Sequence, residues 1–121
     1  MKINLEEIDK IYSNQMGITF FWKNEIDAYI ENKRVNIIFS NVALLFNIIE
    51  LNLFLQDIEN SLYRNSFLED KHRRYYDSIV LETPINQLRF ILSYNDLSLL
   101  KDLIERTIFD IEVSNMLHEI L

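Results

Sequence analysis

Hydrophobic residues in this chain come either in short apolar runs or once every three or four positions, the two patterns expected of strands and amphipathic helices. After Asn4, the residues Leu5, Ile8, Ile11 and Tyr12 keep helical spacing, and Glu7 stands where a capping box has its acid, which predicts a short first helix ending before Gly17. Ile18 to Trp22 is β-branched and aromatic and predicts a strand that stops at Lys23-Asn24. In that strand Phe20 and Trp22 point one way and Phe21 the other, so at least one face must be covered, by core, by a ligand or by a second subunit. From Glu25 to Arg34 the alternation Ile26, Ala28, Ile30 is weak and defines no element.

The most informative pattern is internal. VALLFNIIELNLFLQDIE from Val42 overlays LRFILSYNDLSLLKDLIE from Leu88 at an offset of 46. Leu44, Leu45 and Phe46 then match Phe90, Ile91 and Leu92, and Asn47 matches Ser93. Glu50 falls on Asp96, Leu51 on Leu97, Phe54 on Leu100 and Ile58 on Ile104. Each copy therefore predicts an apolar strand, an N-cap residue, an acid three positions on and an amphipathic helix. The cap's side-chain oxygen takes an orphan helical N–H, while the acid reaches back to the cap's own N–H and faces the positive end of the helix dipole.

A further apolar run precedes each copy, Val35 to Phe39 in the first and Ile79 to Leu81 in the second. Each unit thus reads as strand, turn, strand, helix, with a tight hairpin at Ser40-Asn41 and a longer connection at Glu82–Gln87. The helices are expected over Ile48 to about Leu62 and from Tyr94 to beyond Asp110, and Tyr63 to Asp77 is read as a loop or frayed helix end. A hairpin cannot hide both its apolar face and its edges, so the two units are expected to join in one antiparallel sheet covered by helices. The expectation is an α+β fold in a single domain over residues 1–121, with repeat units at about 35–62 and 78–108, plus the short N-terminal helix and strand.

Composition narrows the function classes. A chain of 121 residues, nearly half of them hydrophobic, can bury roughly two thirds of its unfolded surface and form a core without staples. It has no cysteine, which excludes disulfides, thiolate metal sites and thiol nucleophiles and fits a reducing compartment. Glu6, Glu7 and Asp9 occupy the stretch where a signal peptide needs an apolar run, and no run is long enough to span a membrane, so the expected location is cytoplasmic. A net charge of -7 disfavours nucleic acid and anionic lipid as general partners.

The segments IIFSNVALLF, IIELNLFLQDI and IVLETPINQLRFILSYNDLSLLKDLIERT resemble a family of small bacterial proteins, mostly from the Bacteroidetes, that has no established activity. The resemblance covers about Ile18 to Thr107 and is carried by Phe39, Asn41, Thr83, Pro84, Ser93 and Tyr94. It implies the same strand-turn-strand-helix order, with a Thr-Pro turn in the second unit. Many members carry cysteines shortly before the first repeat; this chain has none there, so no thiol or metal role carries over. Ser40 stands where the family commonly has glycine, which leaves the turn type open.

No catalytic, cofactor-binding or metal site is expected. A single glycine, Gly17, supplies no phosphate-cradling loop, and His72 and His118 belong to no spaced ligand motif. The neighbouring carboxylates Glu6/Glu7, Asp57/Glu59 and Glu69/Asp70 read as solvated surface, and no serine sits in a nucleophile context. Lys71, His72, Arg73 and Arg74, followed by Tyr75-Tyr76, have the chemistry to grip phosphate, but four basic positions on an acidic chain read first as a solvated loop.

The C-terminus carries two apolar stripes. Leu97, Leu100, Ile104, Ile108 and Ile111 make one, and Phe109, Val113, Met116, Leu117 and Ile120 make another, rotated around the axis. The second either meets another surface, most simply a second copy, or belongs to a tail that folds back after a break near Ser114-Asn115. The reading is a non-enzymatic interaction or regulatory module acting as a homodimer, with an unidentified protein partner also open. The alternatives are a small-ligand-binding or catalytic domain with a pocket between sheet and helices near Trp22, anchored by Arg89 or the basic loop, and phosphate or nucleic-acid contact through Arg73 and Arg74.

Overall fold

A computed structural model describes residues 2–23, 33–66 and 78–120. In chain order it has a 3₁₀ turn (Leu5–Glu7), β1 (Ile8–Ser13), β2 (Gly17–Trp22), β3 (Val35–Phe39), β4 (Val42–Phe46), α1 (Ile48–Arg64), β5 (Ile79–Glu82), β6 (Arg89–Leu92) and α2 (Tyr94–Ile120). The class is α+β, with both strand-strand-helix units in the expected order. The strands divide into an antiparallel sheet ordered β1-β2-β3-β4 and a separate β5-β6 hairpin, so among the described residues the two units do not share one sheet. They share a core instead.

The expected first helix is corrected to one 3₁₀ turn followed by β1. Asn4 does cap, its side chain accepting the Glu6 N–H at 3.0 Å, but the helix goes no further. The reason lies in the pairing of β1 with β2. Lys10 pairs with Phe20 and Tyr12 with Thr19, leaving Ile11 as one extra residue, the count of a β-bulge. The bulge reverses the alternation, so Ile8 faces one side of the sheet while Ile11 and Tyr12 pack against the core on the other. A spacing of three that imitates a helix is here a strand with an inserted residue.

The turn between β1 and β2 is organised by Asn14, whose Oδ1 accepts the N–H groups of Met16 (2.8 Å) and Gly17 (3.3 Å). At Ser40-Asn41 the hairpin closes with two residues between Phe39 and Val42, and Ser40 takes a positive φ of 53°. α1 starts on the full capping box the sequence predicts: Asn47 Oδ1 accepts the Glu50 N–H at 2.8 Å, and Glu50 Oε1 accepts the Asn47 N–H at 3.0 Å. At α2 the Ser93 hydroxyl accepts the Asp96 N–H at 3.1 Å. α1 runs through Tyr63 and Arg64, the helix-end alternative for the start of the 63–77 segment, and residues 67–77 of that segment lie outside the described residues.

One cluster holds the fold together. Val35, Ile37, Phe39, Leu44 and Phe46 of the sheet pack with Leu51, Phe54 and Ile58 of α1, Ile79, Leu81 and Phe90 of the hairpin, and the buried stripe of α2. Phe39 and Phe54 meet Phe90 with ring centroids 5.1 and 6.5 Å apart, so aromatic edges tie the second unit into the first. Phe20 and Ile8, on the sheet face away from this cluster, are also buried. The need for cover on Phe20-Phe21-Trp22 is therefore met on both faces, with Phe20 and Trp22 edge to face at 5.2 Å.

Candidate interaction surface

α2 is 27 residues long, roughly 40 Å at 1.5 Å per residue, about twice the span of the six-residue strands it crosses. It can be covered along only part of that length. Leu97, Leu100, Leu103 and Ile104 are fully buried, Ile108 and Ile111 nearly so, and Ile111 is the last buried position described. The helix does not break at Ser114-Asn115; it continues to Ile120, which overturns the folded-back tail. Its second stripe stays open to solvent, with Phe109 53%, Val113 37%, Met116 60% and Leu117 55% exposed. Ile120 is the last residue of the helix.

The sheet side of this helix is anchored by a polar clasp. Asp102 Oδ2 accepts the Tyr12 hydroxyl at 2.8 Å and the Asn14 amide at 2.9 Å, and the same amide nitrogen donates to the Leu99 carbonyl at 2.8 Å. One turn further on, the Arg106 guanidinium carbon lies 5.9 Å from the Tyr12 ring and 5.5 Å from that of Phe109, while its Nε donates to Asp110 Oδ1 at 3.3 Å. Because the Tyr12 hydroxyl donates to a carboxylate, its pKa is raised above the ordinary tyrosine value; partial burial and the Asp102 charge add to this, and Arg106 opposes it.

Beyond the clasp, β1 and α2 diverge. Between them lies an open groove of about 510 Å³, walled by Asp9, Ile11 and Phe21 on the sheet side and by Asp110, Val113 and Leu117 on the helix. Lys10 and Lys33 reach its rim, and Lys33 Nζ sits 5.3 Å from the Phe21 ring centroid. Val113 and Leu117 belong both to the groove and to the exposed stripe, so the two form one surface. Among the described residues the groove lining carries two acids and two lysines.

The other candidates are scattered. Lys71, His72, Arg73 and Arg74 lie outside the described residues, as do Glu69 and Asp70. Arg89 is exposed on β6 opposite Glu82, and Trp22 is half-buried at the end of β2, away from the groove lining. His118 is exposed in the last turn of α2, where a cation suits the helix dipole. Asp57 has its pKa raised, chiefly by burial and then by the Glu82 charge, with Arg64 opposing. Among the described residues no three His, Cys, Asp or Glu side chains are grouped to hold a metal ion, and no helix is long and apolar enough to cross a membrane.

Sequence reasoning missed the clasp, because Tyr12 and Asn14 reach Asp102 across about 90 residues of chain. The available signal was Asn14 three residues before Gly17, a turn signature that would have made the preceding segment a strand. Fold and surface together define an α+β protein with a long helix presenting an apolar face. No protein-family model, curated protein or solved structure matches the chain.

Proposed function

We propose that this chain is a protein-interaction module that acts as a homodimer through the C-terminal half of α2 and the groove beside it. The observation that carries the reading is the exposed run Phe109, Val113, Met116 and Leu117 on an unbroken helix whose other face is buried as far as Ile111. These positions recur at spacings of three and four, so they line one side of the helix and suit a second helix laid against them. A second copy supplies the same stripe, and a two-fold contact buries both at once. The mixed charges at the groove rim are compatible with a self-complementary pairing and favour neither nucleic acid nor an anionic surface.

The experiment is sedimentation velocity of the full chain beside a Met116→Glu, Leu117→Glu double variant. Both side chains are more than half exposed, so the fold survives the change. The expected result is an assembly whose mass falls by half in the variant. An unchanged mass, or a monomer in both, rejects the reading.

A further inference from the structure

The two outer edges of the four-stranded sheet are built differently. β1 carries the devices that natural sheets use to refuse another strand: the charges Asp9 and Lys10 and the bulge at Ile11. β4, Val42–Phe46, has no charge, no proline and no bulge, and its register with β3 is regular from end to end. We propose that the β4 edge is a second self-association site, where it pairs antiparallel with β4 of another copy to extend the sheet across a two-fold axis.

The hydrogen-bonding pattern makes the site specific. The two-residue turn places Phe39 and Val42 in a hydrogen-bonded pair, so Leu44 and Phe46 also bond to β3, while the backbone N–H and C=O of Ala43 and Leu45 point outward. Neither residue has a backbone hydrogen bond outside the β3 ladder among the described residues, and both are exposed, Leu45 by 50%. With the two-fold axis at Leu44, Ala43 of one copy faces Leu45 of the other twice over. All four outward groups of each strand are then paired, and each leucine side chain meets the small alanine. A strand of another protein could use the same edge, but only one with matching donors, no charge and a small residue opposite Leu45 fits it as well as β4 itself does.

This site is independent of α2. If both exist, one chain has two different two-fold contacts, which a dimer cannot satisfy together, and the assembly passes beyond two copies. The test is the mass of the full chain by light scattering over a range of concentrations, with Ala43→Pro and Leu45→Lys as edge variants and Met116→Glu, Leu117→Glu as the helix variant. Proline at 43 removes an N–H that makes no bond among the described residues, and lysine at 45 adds the guard that β1 already has. Circular dichroism checks that each variant is folded. Both edge variants are expected to lower the mass to that of a dimer, and the edge and helix changes combined to give a monomer. If the helix contact is absent, the edge variants alone take a dimer to a monomer and the helix variant changes nothing. Hydrogen exchange gives a second readout, since the Ala43 and Leu45 amides should exchange at least tenfold more slowly in the assembly than in the helix–edge combined variant. A mass unaffected by folded edge variants, or unprotected amides at 43 and 45, overturns the proposal, including the case where the edge serves another protein's strand.

Discussion

The hydroxyls of Thr19 and Thr107 lie 2.7 Å apart, both side chains wholly buried although 88 residues separate them in the chain. Thr107 Oγ1 also reaches the Leu103 carbonyl at 2.6 Å and must donate there, so it accepts from Thr19, whose one hydrogen has only the 3.3 Å Tyr12 carbonyl as an alternative. The pair pins β2 to the middle of α2 inside an otherwise apolar stripe. Replacing Thr107 by valine leaves Thr19 with its weaker partner, and replacing Thr19 leaves Thr107 with Leu103. Each single change is expected to cost about 1 kcal/mol, and the double change about as much as either alone. Urea unfolding of the four proteins at one protomer concentration measures this; additive costs would mean that the contact contributes nothing.

Gly17 pairs with Phe39, and a Cβ at this position would overlap the Ile38 carbonyl oxygen and sit 3.0 Å from the Phe39 Cα. Both obstacles are backbone, so β2 and β3 would have to separate to admit it. Gly17→Ala is expected to destabilise the protein by about 1–3 kcal/mol, the range for overpacking a well-packed site. Thermal unfolding against the parent chain reads it directly, and a change under about 0.5 kcal/mol would contradict the close approach.

What could be read from sequence was what is local. The Asn47-Glu50 box acts within four residues, and α1 begins where those residues say it does. The two stripes of α2 follow from helical period alone, and Leu97, Leu100, Ile104, Ile108 and Ile111 are the buried one. β1 was misread because the bulge at Ile11 gives strand residues a helical spacing. Thr107 was passed over because a hydroxyl in a buried stripe is explained only by its partner on β2, and no local pattern joins positions 19 and 107. The Tyr12–Asp102 clasp was hidden for the same reason, compounded by reading its strand as a helix.

Ser40 carries a positive φ of 53° at the first position of the β3-β4 turn, and Asn41 does not share it. A side chain at such a φ is crowded against its own backbone, which glycine avoids at the expense of a looser unfolded chain. Ser40→Gly is expected to raise stability by about 0.5–1 kcal/mol, whereas Asn41→Gly should lower it, because there the substitution relieves no strain. Equilibrium unfolding of the two variants separates the effects, and equal shifts would remove the strain at Ser40 from the account.

Tyr12 supplies a pH dependence in the alkaline range. Its hydroxyl donates to Asp102, and this bond exists only while the phenol keeps its proton. The pKa is therefore higher in the folded protein than in the unfolded chain, by virtue of that bond first, then partial burial and the Asp102 charge. For a group raised on folding, the folded state holds the proton more firmly, so its stabilising effect is complete below the unfolded value near 10 and is lost as pH rises through the folded one. Stability should fall with pH above about 10 more steeply in the parent than in Tyr12→Phe. Spectrophotometric titration should find one tyrosine ionising late, and Asp102→Asn should bring it back toward the ordinary range by removing the acceptor's charge. A parent and a Tyr12→Phe variant with superimposable alkaline stability profiles would mean that the Tyr12–Asp102 bond does not help to hold β1 to α2.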